Sequence, residues 1–192
     1  MNKKYIFVIE HLEKKIWPWC LIEYKHISDI VGKRNLWFTN IKNKKSSQAK
    51  KLSKYGITIS KSARYLNLNK ACVLDPESPK TLNPRTAKKY RCFIFGGILG
   101  SFPPKKRTKS ELTKYIKKAD KFNIGKKQMS TDNAVYVVKK ILNNTPLKKI
   151  RFKDEIEIKI NKIESTILPY RCALVKNKPL ISKELIRYLK KQ

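Results

Sequence analysis

The stretch Cys92 to Thr108, CFIFGGILGSFPPKKRT, most constrains what this chain can fold into. Four consecutive apolar residues, Cys92 to Phe95, predict a buried strand. Gly96, Gly97 and Gly100 follow it and are half of the chain's six glycines, a turn in which the backbone can bend tightly and approach a ligand with no Cβ in the way. Pro103 and Pro104 stop any following helix, and Lys105, Lys106 and Arg107 set positive charge at the exit, ready for an anionic partner. Taken alone, the pattern equally suits an ordinary strand-end turn.

Two further blocks repeat this grammar. Phe122 to Ala134, FNIGKKQMSTDNA, reads as short apolar strand, glycine turn and helix start, with Thr131 or Asp132 able to cap a helix running to Asn143. Ile163 to Leu174, IESTILPYRCAL, supplies a loop with Pro169 leading into another apolar run. Elsewhere the sequence predicts strands at Tyr5 to Glu10, Leu36 to Thr39 and Ala71 to Leu74, and a half-exposed strand in the alternating Glu155 to Ile160. Helices are expected at Trp17 to Val31, with Pro18 in the first turn and Gly32 past the end, and at Ser110 to Ala119 with Leu112, Tyr115 and Ile116 inward. A mobile, lysine-rich helix at Lys42 to Tyr55 closed by Gly56, and a last helix capped by Ser182 and ending at Lys191, complete the set. Glu77 to Lys89 reads as mostly loop. Alternation of strand and helix argues for an α/β fold with a largely parallel sheet, and 192 residues for one domain over the whole chain.

Charge narrows the partner class. With 46 Lys and Arg against 14 Asp and Glu, the formal charge is +32, far beyond what solubility needs, and it predicts attraction to polyanions such as RNA. The abundance of Lys, Asn, Ile and Tyr matches an AT-rich genome, which does not account for so few acids. Cys20, Cys72, Cys92 and Cys172 are far apart in apolar runs without a C-x-x-C pair, so buried thiols are expected and a metal site is not. No stretch approaches a membrane span, and YIFVIE is too short for a signal-peptide core, so a cytoplasmic location is expected.

The order FGGILG, PP-x-x-RT, G-x-KQM-x-TD and P-aromatic-R, together with IEH at Ile9 to His11 and LDP at Leu74 to Pro76, resembles the SPOUT, or α/β-knot, methyltransferases. The likeness is to the branch that includes a ribosomal-protein arginine methyltransferase, and it covers almost the whole chain. It implies a largely parallel sheet flanked by helices, a C-terminal trefoil knot, and S-adenosylmethionine (SAM) held in three loops. Carried onto this sequence, those loops comprise Phe95, Gly96, Gly97, Ile98, Leu99 and Gly100; Ile124, Gly125, Gln128, Met129 and Ser130; and Leu168, Pro169, Tyr170 and Arg171. Arg107 and Arg171 match the family's motif, either to bind the cofactor's carboxylate or to anchor the loops. A guanidinium with a pKa above about 12 needs carboxylates to orient it and take its proton, and Glu10 and Glu23 match acidic positions of the family. His11 reads as a hydrogen-bonded structural residue or a proton relay.

Four positions depart from the family: Ser101, Lys106, Lys126 and Ile167 stand where acids are usual. All four move the site toward positive charge and open the question of acceptor. The implied activity is methylation of an arginine in a ribosomal protein or particle. An RNA acceptor and a non-catalytic RNA- or ribosome-binding role suit the same charge, and pairing of two copies is left open.

Overall fold

The apolar run at the N-terminus becomes the centre of the molecule. In the computed structural model, which describes residues 5–43, 45–161 and 163–191, the strands are β1 (Ile6–His11), β2 (Leu36–Thr39), β3 (Ile57–Thr58), β4 (Ala71–Leu74), β5 (Cys92–Gly97) and β6 (Asp120–Phe122). They form one sheet in the order β3-β2-β1-β5-β4-β6, and every pairing is parallel. β1 pairs along its length with β5, from Ile6 opposite Cys92 to His11 opposite Gly97. Between the strands lie the helices α1 (Pro18–Val31), α2 (Ser47–Leu52), α3 (Pro84–Ala87) and α4 (Arg107–Glu111), and α5 (Thr131–Leu142) follows β6. Short strands β7 (Phe152–Lys153), β8 (Ile156–Lys159), β9 (Ser165–Leu168), β10 (Cys172–Val175) and β11 (Lys178–Pro179) precede the last helix, α6 (Lys183–Leu189).

Alternation along the strands divides the core between two faces. Phe7, Ile9, Phe93 and Phe95 point toward α1 and α5, where they meet Tyr24, Ile27, Val135 and Val138. Val8, Val73 and Ile94 point the other way, against Ala63, Leu112, Ile116 and Ala119. Each fully buried side chain of this size contributes about 1.5–3 kcal/mol. A third cluster joins the antiparallel hairpin β8–β9 and α6 to the outer face of α1 through Trp19 and Ile22.

Several expectations need correction. Gly96 and Gly97 are strand residues, because β5 continues past Phe95 in register with Glu10 and His11. A Cβ on Gly97 would lie 2.3 Å from the Tyr24 hydroxyl and 3.0 Å from Ile9 Cγ2, so glycine here permits close packing. Gly56 does not close a helix: α2 spans six residues, starts at the Ser46 cap, and ends before Gly56, whose missing side chain makes room for Phe38. The expected helix from Ser110 is instead the short α4 and a 3₁₀ turn, Thr113–Tyr115, which leaves Tyr115 46% exposed while Leu112 and Ile116 are buried. Glu77 to Lys89 is mostly loop as expected, with the four-residue α3 inside it, capped by Asn83. Ser130, not Thr131 or Asp132, is the N-cap of α5, and its hydroxyl donates to the Asp132 carboxylate. Strand β8, the Pro18 and Gly32 boundaries of α1, and the Ser182 cap of α6 are as read from sequence.

Candidate active site

Parallel strands open their carboxyl ends to the loops that follow, and a cavity lies there. It has a volume of about 490 Å³ and sits beyond Leu74, Phe95 and Gly96, within the range usual for small-molecule sites. Its floor is apolar, from Phe95, Ile98, Leu99, Ile124 and Met129. Three segments wall it: residues 98–108, 124–131 and 169–171.

These segments are stitched to one another by Gln128. Its backbone carbonyl accepts the Arg171 N–H at 2.9 Å, and its side-chain amide donates to the Ser101 carbonyl at 3.3 Å. A Cβ on Gly100 would fall 2.6 Å from the Tyr170 ring and 3.0 Å from the Gln128 amide, so the first loop passes under the third only because residue 100 is glycine. Gly125 turns the second loop with φ +108°, a conformation few other residues adopt.

Most of the anticipated cofactor residues line this cavity: Phe95, Gly96, Ile98, Leu99, Gly100, Arg107, Ile124, Gly125, Gln128, Met129, Pro169, Tyr170 and Arg171. Gly97, Ser130 and Leu168 do not: Gly97 packs against Tyr24, Ser130 bonds Asp132, and Leu168 belongs to the cluster of the β8–β9 hairpin and α6. Both arginines are ion-paired to carboxylates of the chain. Arg107 pairs with Glu13 at 2.7 Å and with Glu111, and Glu13 also accepts the Leu99 N–H at 3.0 Å, so one carboxylate ties the first loop to the β1–α1 connection. Arg171 reaches Asp154 at 2.7 Å over the Phe152 ring, and with Lys127 it holds the Asp154 carboxyl well below the usual carboxylate range.

Glu10 and Glu23 lie outside the lining. Glu10 is buried at the end of β1, where Thr39 and Ser62 hydroxyls and the Ala63 N–H, at 2.8 Å, all donate to its carboxylate. Glu23 is buried between α1 and α5, accepting from Trp19 Nε1 at 2.8 Å and from Thr131. Loss of solvent and the neighbouring Asp132 carboxylate push it up to about 8. Asp132 in turn bonds His26 Nδ1 at 2.6 Å, and Thr131 itself lines the cavity, so this polar network stands directly behind one wall. His11 bonds the Tyr24 hydroxyl at 2.8 Å, and burial lowers its pKa.

The lining holds six cations and four carboxylates, so a positively charged ligand must find a carboxylate that is not already neutralised. Glu77 pairs with Lys106 at 3.3 Å, and Asp154 is taken by Arg171 and Lys127. Among the described residues Asp75 and Glu155 line the cavity without an ion pair. Asp75 is buried at the end of β4, its carboxylate held by the Glu77 N–H at 2.9 Å, whereas Glu155 is exposed. The LDP motif was the sequence signal for Asp75, which the spacing of acids alone did not single out. Of the family departures, Ser101, Lys106 and Lys126 line the cavity, while Ile167 faces solvent. Lys126 donates to the Ser78 carbonyl at 2.7 Å, fastening the second loop to the Asp75 turn.

Among the described residues no group of three or more His, Cys, Asp or Glu could hold a metal ion, and no helix is long and apolar enough to cross a membrane. The four cysteines are free and buried; burial pushes Cys20, Cys72 and Cys172 up to about 12, and raises Cys92 as well.

Comparison with known proteins agrees with this geometry. The family model described as protein arginine N-methyltransferase SFM1-like matches residues 6–192. Protein arginine N-methyltransferase SFM1 of Saccharomyces cerevisiae is 32% identical, over 96% of this chain and 94% of that protein. The crystal structure of the yeast enzyme complexed with SAM superposes with a TM-score of 0.87 at 30% identity, covering 97% of this chain and 90% of that one. The crystal structure of dual specific Trm10 from Thermococcus kodakaraensis, 14% identical, covers 76% of this chain and 96% of that one with a TM-score of 0.59, a likeness of the SPOUT fold.

Proposed function

The chain belongs to the SFM1-like protein arginine N-methyltransferase family, and on that premise we propose that it binds SAM in the three-loop cavity and methylates an arginine of a ribosomal protein. The observation that carries this reading is an apolar-floored cavity with one buried carboxylate, Asp75, that no cation among the described residues neutralises. The residues present fit the cofactor: three loops over an apolar floor enclose a cavity of about 490 Å³, and Gly100 lets the first loop pack against Tyr170 of the third.

When bound, SAM supplies an electrophilic methyl group. Everything else falls to the chain. Phe95, Ile124 and Met129 exclude water, Gln128 holds the loops in fixed relation, and Tyr170 closes the wall above Gly100. Asp75 accepts hydrogen bonds from the incoming guanidinium, aims its nitrogen, and draws off the proton as the N–C bond forms. Glu23 is a positioning residue in this reading, acting through Thr131, and Glu10 is a structural one that holds the Ser62 turn. The trefoil knot belongs to the same reading, supported by the interleaving of the three loops at Gly100, Gln128 and Tyr170. So does a cytoplasmic location, where ribosomal particles and reduced thiols are found together.

The +32 charge favours an RNA acceptor as the second reading. One experiment separates the two. The protein is incubated with methyl-labelled SAM and under-methylated ribosomal particles, and samples are digested with protease or ribonuclease. Label released by protease alone supports an arginine acceptor, and Asp75→Asn then lowers incorporation with SAM affinity unchanged. Label released by ribonuclease alone assigns the acceptor to RNA.

A further inference from the structure

Two exposed tyrosines stand on the sheet face that carries Val8, Val73 and Ile94, away from α1 and α5. Tyr65 is 66% and Tyr115 46% exposed, and they come from separate 3₁₀ turns, Ala63–Tyr65 and Thr113–Tyr115. Arg64 joins them, its guanidinium carbon 4.5 Å from the Tyr65 ring centroid and 5.4 Å from that of Tyr115, with Lys114 Nζ 4.8 Å from the second ring. Rigid anchors hold both turns: Ala63 is buried with its N–H on the Glu10 carboxylate, and Leu112 and Ile116 are buried on either side of Tyr115.

From this platform the chain leads directly to a second cavity. Its volume is about 550 Å³, and it lies at the amino ends of β4, β5 and β6, lined by Lys70, Lys88, Lys89, Arg91 and Lys118. Its sole acid among the described residues, Asp120, accepts the Tyr90 hydroxyl at 2.7 Å. Lys118 is the third residue after Tyr115, a span of at most about 11 Å, and neighbouring strands set Lys70 and Arg91 about 5 Å apart. The cavity is about 13 Å along the strands from the methyl-transfer pocket, the length from Ala71 to Asp75.

We propose that this surface binds single-stranded RNA, with bases stacked on the Tyr65–Arg64–Tyr115 platform and phosphates drawn into the Lys70–Arg91–Lys118 cavity. Stacking needs unpaired bases, which a duplex does not offer and an acidic peptide lacks, and the backbone needs a run of cations; this chain places the two side by side. The choice of RNA over DNA rests on the ribosomal-particle reading above; the surface itself does not depend on the acceptor.

Fluorescence anisotropy of the full chain with a labelled single-stranded RNA tests this. Tyr65→Ala/Tyr115→Ala is expected to weaken binding about 10-fold or more with the salt slope unchanged. Lys89→Ala/Lys118→Ala is expected to reduce the slope of log K against log salt by about 1.4, while the same charge change at Lys50 and Lys51 on α2 leaves it unaltered. SAM binding, measured in parallel, stays unchanged in all three variants and reports that they are folded. Wild-type affinity in the tyrosine variant, an equal loss in the α2 control, or tighter binding of duplex RNA, DNA of the same sequence or anionic vesicles overturns the proposal. Absence of SAM binding in the wild type would remove the proposed activity and leave this surface standing.

Discussion

Replacing Glu23 by Gln removes the buried titrating group behind the Thr131 wall while keeping its shape. The ordinary carboxyl value is 4.5, and in the fold burial and Asp132 raise it to about 8. A folded pKa above the unfolded one means that the native state holds a proton the unfolded chain releases. The contribution to stability is therefore complete below pH 4.5 and is lost as pH rises toward about 8. Between pH 5 and 7.5 this is about 2.5 units at 1.36 kcal/mol each, or about 3 kcal/mol, equivalent to roughly 6–12 °C in melting temperature for a chain of this size. Gln cannot titrate, so the variant loses none of this. Urea unfolding of the wild type and Glu23→Gln at pH 5 and pH 7.5 gives four free energies, and their double difference reports what Glu23 contributes, its effect on the adjacent Asp132 included. A value near 3 kcal/mol, with the wild type the more pH-sensitive, is expected. Parallel pH profiles would refute the reasoning and mean that Glu23 stays ionised, compensated by Trp19 and Thr131.

Three further perturbations follow from the geometry. Gly100→Ala forces the Tyr170 ring or the Gln128 amide to move at an overpacking cost of about 1–3 kcal/mol, so a melting temperature roughly 2–12 °C lower and weaker SAM binding by calorimetry are expected. Gly97→Ala places a methyl group between the Tyr24 hydroxyl and the β1 backbone, so thermal unfolding is expected to show a loss of about 3 kcal/mol and a melting point roughly 6–12 °C lower. Glu10→Ala leaves the Thr39 and Ser62 hydroxyls and the Ala63 N–H without their acceptor, costing about 2–4 kcal/mol in denaturant unfolding, while methyl transfer per folded molecule is retained. A collapse of turnover in Glu10→Gln with stability intact would return Glu10 to the chemistry.

Much of this fold was legible because its information is local. Continuous apolar runs at Ile6 to Ile9 and Cys92 to Phe95 are what a sheet covered on both faces requires, and Pro18, Gly32 and Ser182 mark helix ends by local chemistry alone. The three loops were legible through motif order. What was not legible depends on residues distant in sequence. Gly97 looks like a turn glycine until Tyr24, from another element, is seen to occupy its side-chain space. Glu10 at a strand end looks available for chemistry until the turn at Ser62 folds back on it. Asp75 becomes the available buried carboxylate only after Glu77 and Asp154 find their cations and Glu155 is seen to be exposed, an accounting that spacing cannot perform. Tyr115 faces outward because the helix that would have turned it inward gives way to a 3₁₀ turn after Glu111.

The four buried thiols have a practical consequence. With three of them pushed up to about 12, their reactive anion at neutral pH is scarcer by about three orders of magnitude than that of an ordinary cysteine, and burial bars reagent as well. The natural chain is thus a silent background for maleimide or disulfide chemistry. A single cysteine introduced at an exposed position beside the cavity mouth, such as Phe102, would be the sole fast-reacting handle. A photo-crosslinker attached there could capture whichever macromolecule presents its acceptor to the pocket.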